Sequence, residues 1–169
     1  AASEGHFHAD YTQFLDVKGL VGARIGVARK SFGFNPRVDA LMDAAIEVML
    51  REGATIVDPA DLPTHGQLDD PELVVLLYEF KTGLNAYLSG LGPMAPVHSL
   101  QEVIEFNEKH KAREMPYFGQ ETLIRAQAKG PLTEKAYLDA LEKCRRLSRS
   151  EGIDAVMTQH QLDAIALRQ

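Results

Sequence analysis

The sequence predicts an α/β fold with two or three parallel strands and a large helical portion, and three observations carry that expectation. A short apolar run, "ARIGVA" from Ala23 to Ala28, precedes a stretch of helical period and then a second short run, "ATIVDP". Strand, helix, strand with tight connections is a βαβ unit, whose strands lie parallel. From residue 71 to 161 the apolar residues recur at three and four positions, and "LDAIALRQ" then returns to strand-like alternation.

Residues 1–22 form an irregular lead-in, with Gly19 and Gly22 bracketing the start of regular structure. The βαβ unit occupies residues 23–58. Its helix is capped by Asn35, carries Pro36 in its first turn, where the missing N–H costs nothing, and ends at Gly53. Val38, Leu41, Met42, Ala45, Ile46, Met49 and Leu50 make its apolar stripe. After the polar loop "DLPTHGQLDDP", Leu73, Leu76, Leu77, Phe80, Leu84, Tyr87 and Leu88 mark a long helix that "GLGPMAP" interrupts. Ser99 and Glu102 have the spacing of a capping box that opens a helix to about Lys111. A short helix is expected to reach Lys129, followed by a long one capped by Thr133 with Tyr137, Ala140, Leu141, Cys144 and Leu147 inward. Ile153, Val156, Met157 and His160 give one more helical face, and residues 162–167 read as a terminal strand. No repeat or interdomain linker divides the 169 residues, so one incomplete domain is expected. Three strands are few for so many helices, and a parallel sheet ordinarily has neighbours on both sides.

Composition excludes several function classes. A net charge of -6 and a single short basic cluster, Lys143–Arg149, argue against a nucleic-acid-binding surface. One cysteine, Cys144, precludes an internal disulfide and fits the cytoplasm. No apolar run approaches the roughly 18 to 20 residues that span a bilayer, and the opening "AASEGHFHAD" has neither the basic n-region nor the apolar h-region of a signal peptide. The polar opening without a Met points to a stretch taken from something longer.

Chemistry is hard to find. None of Ser3, Ser31, Ser89, Ser99, Ser148 and Ser150 lies in a G-x-S-x-G turn or beside another serine. Cys144 falls on an inward helical stripe, where a thiol acts as a small hydrophobe. His6 and His8 form an H-x-H pair without a rigid third ligand, and His65, His98, His110 and His160 are scattered, so no metal site is expected. Asp58, Asp61, Asp69, Asp70 and Glu72 surround one loop, where capping and solubility account for them. The glycines near the first strand precede it or lie within it, which rules out a dinucleotide fingerprint. The stretch "EMPYFGQE", Glu114–Glu121, has two readings. In one, Pro116 turns a corner that Tyr117 and Phe118 pack. In the other, Tyr117, Phe118 and Gln120 present aromatic walls, a hydroxyl and an amide to a small polar ligand.

Five phrases in order, "DYTQFLDVKGLVGARIGVAR", "GATIVDPADLPTH", "LLYEFKTGLNAYLSGLG", "EMPYFGQE" and "KAYLDALEKCRRLSRSEGIDAVM", resemble the amidase signature family, especially its peptide-amidase-like branch, and also its glutamyl-tRNA amidotransferase members. The resemblance covers almost the whole chain but a minority of the family's domain, so it implies a partial amidase signature fold. It implies carboxamide hydrolysis by a serine nucleophile, with a lysine accepting a proton through a bridging serine and backbone N–H groups holding the oxyanion. No cofactor or metal is implied. The Gly-Ser-rich signature has no counterpart here, and the nucleophile would lie upstream of Ala1. The family's Ala-Pro-Thr loop is likewise replaced by Arg168 and Gln169. The chain is therefore expected to be inactive alone, with no catalytic residue of its own, and to contribute substrate-pocket walls through Tyr117, Phe118 and Gln120. It is also expected to self-associate or dock to the missing amidase portion. A noncatalytic small-molecule-binding or interaction module is the alternative.

Overall fold

In the computed structural model, which describes residues 3–167, the two apolar runs near the N-terminus form strands β1 (Arg24–Val27) and β2 (Thr55–Val57), joined by helix α1 (Pro36–Arg51). A third strand, β3 (Ala164–Ala166), pairs with the other edge of β1, so the order is β2-β1-β3 and every pairing is parallel. The α/β expectation is met with a small sheet and many helices. Two compact units divide the chain: residues 3–65 with 151–167, and residues 66–150.

In the first unit, capping chemistry sets the limits of α1. The Asn35 side chain accepts from Arg37 N, and Gly53, at φ +96°, takes the left-handed turn that starts β2. The expected stripe of α1 is narrower than its periodicity suggests. Ile46 is buried and Val38, Met42 and Met49 are half-buried, whereas Leu41 and Leu50 stay 71% and 53% exposed. Three strands do not supply enough surface to cover the whole face. The core gathers instead around Ala60, Val156 and Leu162, with Val57, Leu62, Met157 and Ile165 packed against them. Val156 and Met157 come from α7 (Asp154–His160), which leads into β3. The start of β1 is tied to this return: Arg24 donates its guanidinium N–H groups to the carbonyls of His160 and Gln161, and Asp163 accepts from Arg24 N.

The second unit is helical: α2 (Asp69–Ser89), α3 (Leu100–Lys109), α4 (Lys111–Glu114), α5 (Glu121–Gln127) and α6 (Lys135–Ser148). α2 packs against α6, α5 and α3. Leu77, Leu100 and Ala126 form its core, with Leu73, Leu84, Ile104 and Leu123 around them. Ser99 caps α3 as expected, accepting from Glu102 N at 3.2 Å. The reciprocal arm of the box lands one residue earlier, since the Glu102 carboxylate accepts from His98 N. Asn85 Oδ1 of α2 accepts from Leu100 N, and Lys81 Nζ donates to the carbonyls of Gln127 and Lys129, closing α5. Thr133 is not the cap of α6. Glu134 occupies that position, and its carboxylate is turned towards Tyr78, whose hydroxyl donates to it at 2.6 Å. Tyr137 returns the bond in the opposite direction, from α6 to Glu79 at 2.8 Å, and the two rings lie 5.6 Å apart. This double brace ties α2 to α6. Beyond α6 the chain makes a π-type turn, Arg149–Ile153, in which Gly152 leaves helical geometry.

These contacts can be tested at two places. A Cβ at Gly26 would stand 2.5 Å from Leu162 Cδ1 and 2.8 Å from Ala60 Cβ. Gly26→Ala should therefore destabilise the chain by about 1–3 kcal/mol in urea unfolding, and combining it with Leu162→Ala should cost less than the sum of the single changes. Strictly additive costs would contradict the close approach. Tyr78 and Tyr137 are both held above the ordinary tyrosine pKa, first by the hydrogen bond to a carboxylate and then by burial. Folding thus favours the neutral phenols: their contribution is complete below the unfolded value of about 10 and is lost as pH rises through the raised folded values. The double change Tyr78→Phe, Tyr137→Phe should make the alkaline fall of stability shallower than in the parent, and an equally steep fall would assign it to other groups.

Candidate functional site

The irregular stretch between α4 and α5 carries the residues singled out from the sequence. Tyr117 and Phe118 are 88% and 85% exposed, so neither packs the corner. Gln120 is the opposite case. It is buried, its Nε2 donates to the Ile104 carbonyl at 3.1 Å, and its Oε1 accepts from Asn107 Nδ2 at 3.2 Å. The structure therefore places the three as two projecting rings beside a side chain bonded to α3.

An apolar groove of about 280 Å³ lies in the same unit, lined by Leu73, Leu76, Leu77 and Phe80 of α2 and by Thr122 and Leu123 of α5. The aromatic stretch leads directly into α5, so both features share one helix start. A smaller crevice of about 180 Å³ belongs to the first unit, at the carboxyl end of β1, where Lys30, Ser31, Asp61, Leu62 and His65 converge. Crevices at strand carboxyl ends are where open α/β sheets commonly bind ligands.

The acidic residues around the loop after β2 do more than cap and solubilise. Asp58 receives Arg29 in a bidentate pair, Nε to Oδ1 at 2.9 Å and Nη2 to Oδ2 at 2.6 Å, while Nη1 reaches Asp43 at 2.6 Å. The guanidinium also lies over the Phe32 ring at 4.8 Å. The hydrogen bonds to Asp58 and then Asp43 push the Arg29 pKa further up. Asp61 accepts from Lys30 N. Together these bonds lock the segments after β1 and β2, an arrangement that no local pattern announces because its partners are 14 to 31 residues apart. Only Asp69, Asp70 and Glu72 sit in the first turn of α2, where they complement its dipole.

Several of the serines, the cysteine and several histidines have partners or surroundings of other kinds. The hydroxyls of Ser31, Ser89, Ser148 and Ser150 donate to carbonyls three or four residues back, and Ser99 is the cap of α3. Cys144 is half-buried, and burial, with Glu72 adding to it, pushes its thiol up, away from a reactive thiolate. His8 stacks edge-on with Tyr11 and Phe14, His98 Nε2 meets the Gly92 carbonyl, and His110 Nδ1 meets that of Phe106. Among the described residues, no group of three or more His, Cys, Asp or Glu could hold a metal ion, and no helix is long and apolar enough to cross a membrane.

No family model matches the chain. Individual proteins do. A probable amidase of Arabidopsis thaliana is 37% identical over 97% of the chain, which corresponds to 31% of that protein. A glutamyl-tRNA(Gln) amidotransferase component of Cellvibrio japonicus is 31% identical over 92% of the chain and 32% of its own length. Among solved structures, the peptide amidase PAM in complex with the competitive inhibitor chymostatin superposes with a TM-score of 0.84 at 41% identity, covering 92% of this chain and 31% of that one. The chain spans about a third of the length of the relatives it matches. In sequence and in fold alike it belongs with the amidases, as a stretch corresponding to about a third of an amidase signature family protein.

Proposed function

We propose that the chain is the pocket-bearing part of a carboxamide C–N hydrolase whose nucleophilic serine and lysine base lie outside these 169 residues, and that it does not hydrolyse amides by itself. The observation that carries the reading is the match to amidases over nearly the whole chain, from a stretch in which the hydroxyls of Ser31, Ser89, Ser99, Ser148 and Ser150 are engaged with nearby backbone groups. The substrate is a carboxamide. A peptide amide is favoured because the likeness is high to a peptide amidase whose competitive inhibitor is chymostatin. Tyr117 and Phe118 form one wall of the pocket, with Gln120 at its base. Exposed Leu41 and Leu50 on α1 and Leu76 and Phe80 on α2 are the surfaces through which the chain docks to the remainder of an amidase or to a second copy. A reducing cytoplasm suits the single half-buried thiol.

The apolar groove between α2 and α5 favours a second reading, a noncatalytic module that binds a small apolar ligand. The two readings part on activity. Purified chain should leave simple amides and peptide amides untouched, whereas mixing with a separately produced upstream segment carrying the family's serine signature should restore hydrolysis. Turnover by the chain alone would sink the proposal. In the active mixture, Tyr117→Ala or Phe118→Ala should lower kcat/KM by about tenfold, the effect of losing an aromatic contact of ~1.4 kcal/mol. Silence on mixing, together with tight binding of an amide by the chain alone, would put the binding module ahead.

A further inference from the structure

Two rings that stand almost wholly in solvent cannot be fixed by packing, so their placement rests on the backbone that carries them. Residues 115–120 have no regular secondary structure, and Gln120 is the one side chain from Pro116 to Gln120 that is buried. Gln120 occupies the N-cap position of α5, where its own carbonyl accepts from Ile124 N, yet its side chain caps nothing. It turns instead to α3. The direction of its amide follows from its partners: the Ile104 carbonyl only accepts, so it faces Nε2, which leaves Oε1 for the Asn107 amide. A side chain with one donor and one acceptor end is what both bonds require.

We infer that Gln120 and Asn107 are a positioning pair that holds the Tyr117–Phe118 stretch against α3 and thereby sets where the two rings stand. The inference rests on those rings being a pocket wall for its functional meaning, but the holding itself is independent of any substrate. Leucine at either position keeps the volume and removes the bonds. Gln120→Glu is more discriminating. As a carboxylate it sets negative charge against the Ile104 carbonyl, whereas its protonated carboxyl donates to Ile104 O and accepts from Asn107 Nδ2, as the amide does. Burial raises the pKa of such a carboxyl, which makes the restored form accessible on mild acidification.

The chain contains no tryptophan, so Phe118→Trp gives a single, selectively excitable tryptophan at the exposed ring. Its anisotropy reports the nanosecond motion of the stretch. In this background Gln120→Leu and Asn107→Leu should each lower the anisotropy. Gln120→Glu should lower it at about pH 8 and recover it as the carboxyl protonates. Glu114, Glu121 and His110 flank the stretch, so the Phe118→Trp chain, followed through the same pH series, is the reference. Should Gln120→Leu fail to fold, the reversible titration of Gln120→Glu decides alone. Anisotropy unchanged in the folded variants, or a Gln120→Glu profile that parallels the reference, would overturn the positioning role. A positive result with no effect of Tyr117→Ala or Phe118→Ala on the reconstituted hydrolase would keep the clamp and reject the pocket wall.

Discussion

The sheet-bearing unit depends on a side chain that is not there. Gly26 lies in the central strand, paired with Val57 on one edge and Ile165 on the other, and the methyl groups of Leu162 and Ala60 close over its bare Cα. Ala60 follows β2 and Leu162 precedes β3, so the segments next to both edge strands meet at this point. With only three short strands, backbone hydrogen bonds alone would leave the sheet marginal. Dense packing around Ala60, Val156 and Leu162 supplies what strand number does not.

The helical unit solves a different problem. It has a small buried core, Leu77, Leu100 and Ala126, and long solvated faces. Polar side chains therefore fasten helix to helix: Asn85 and Lys81 of α2 satisfy the ends of α3 and α5, the crossed Tyr–Glu bonds join α2 to α6, and Gln120 joins the start of α5 to α3. Apart from the Gln120 bond, each engages a terminal backbone group or a phenol that would otherwise be desolvated without a partner. Order in the Tyr117–Phe118 stretch is a consequence of that fastening, which links the packing of a small helical unit to two adjacent aromatic rings that face outward.

The proposed division of labour with the rest of an amidase accords with the same features. The proposed wall role calls for rigidity but no reactive groups: the hydroxyls of Ser31, Ser89, Ser148 and Ser150 are bonded to backbone carbonyls, Cys144 is half-buried, and His8, His98 and His110 have ring or carbonyl partners. Apolar positions that periodicity marks as inward, such as Leu41 and Leu76, nevertheless stand exposed, and a partner surface is what would make the periodic pattern and the burial agree.

The sequence by itself determined the local elements. The Asn35 and Ser99 caps, the Gly53 turn, the βαβ order and the long α2 are all written in residues within a turn of where they act, and such short-range preferences are readable one segment at a time. It also carried the family likeness, in five phrases kept in order. Tertiary structure decided what depends on residues distant in the chain. It moved the cap of α6 from Thr133 to Glu134 and left much of the α1 stripe uncovered. It gave Asp58 to Arg29, and it bonded the Gln120 amide to Asn107 and Ile104. A glutamine in a loop looks the same whether its amide faces solvent or a neighbouring helix, and only the packing of α3 against α5 distinguishes the two.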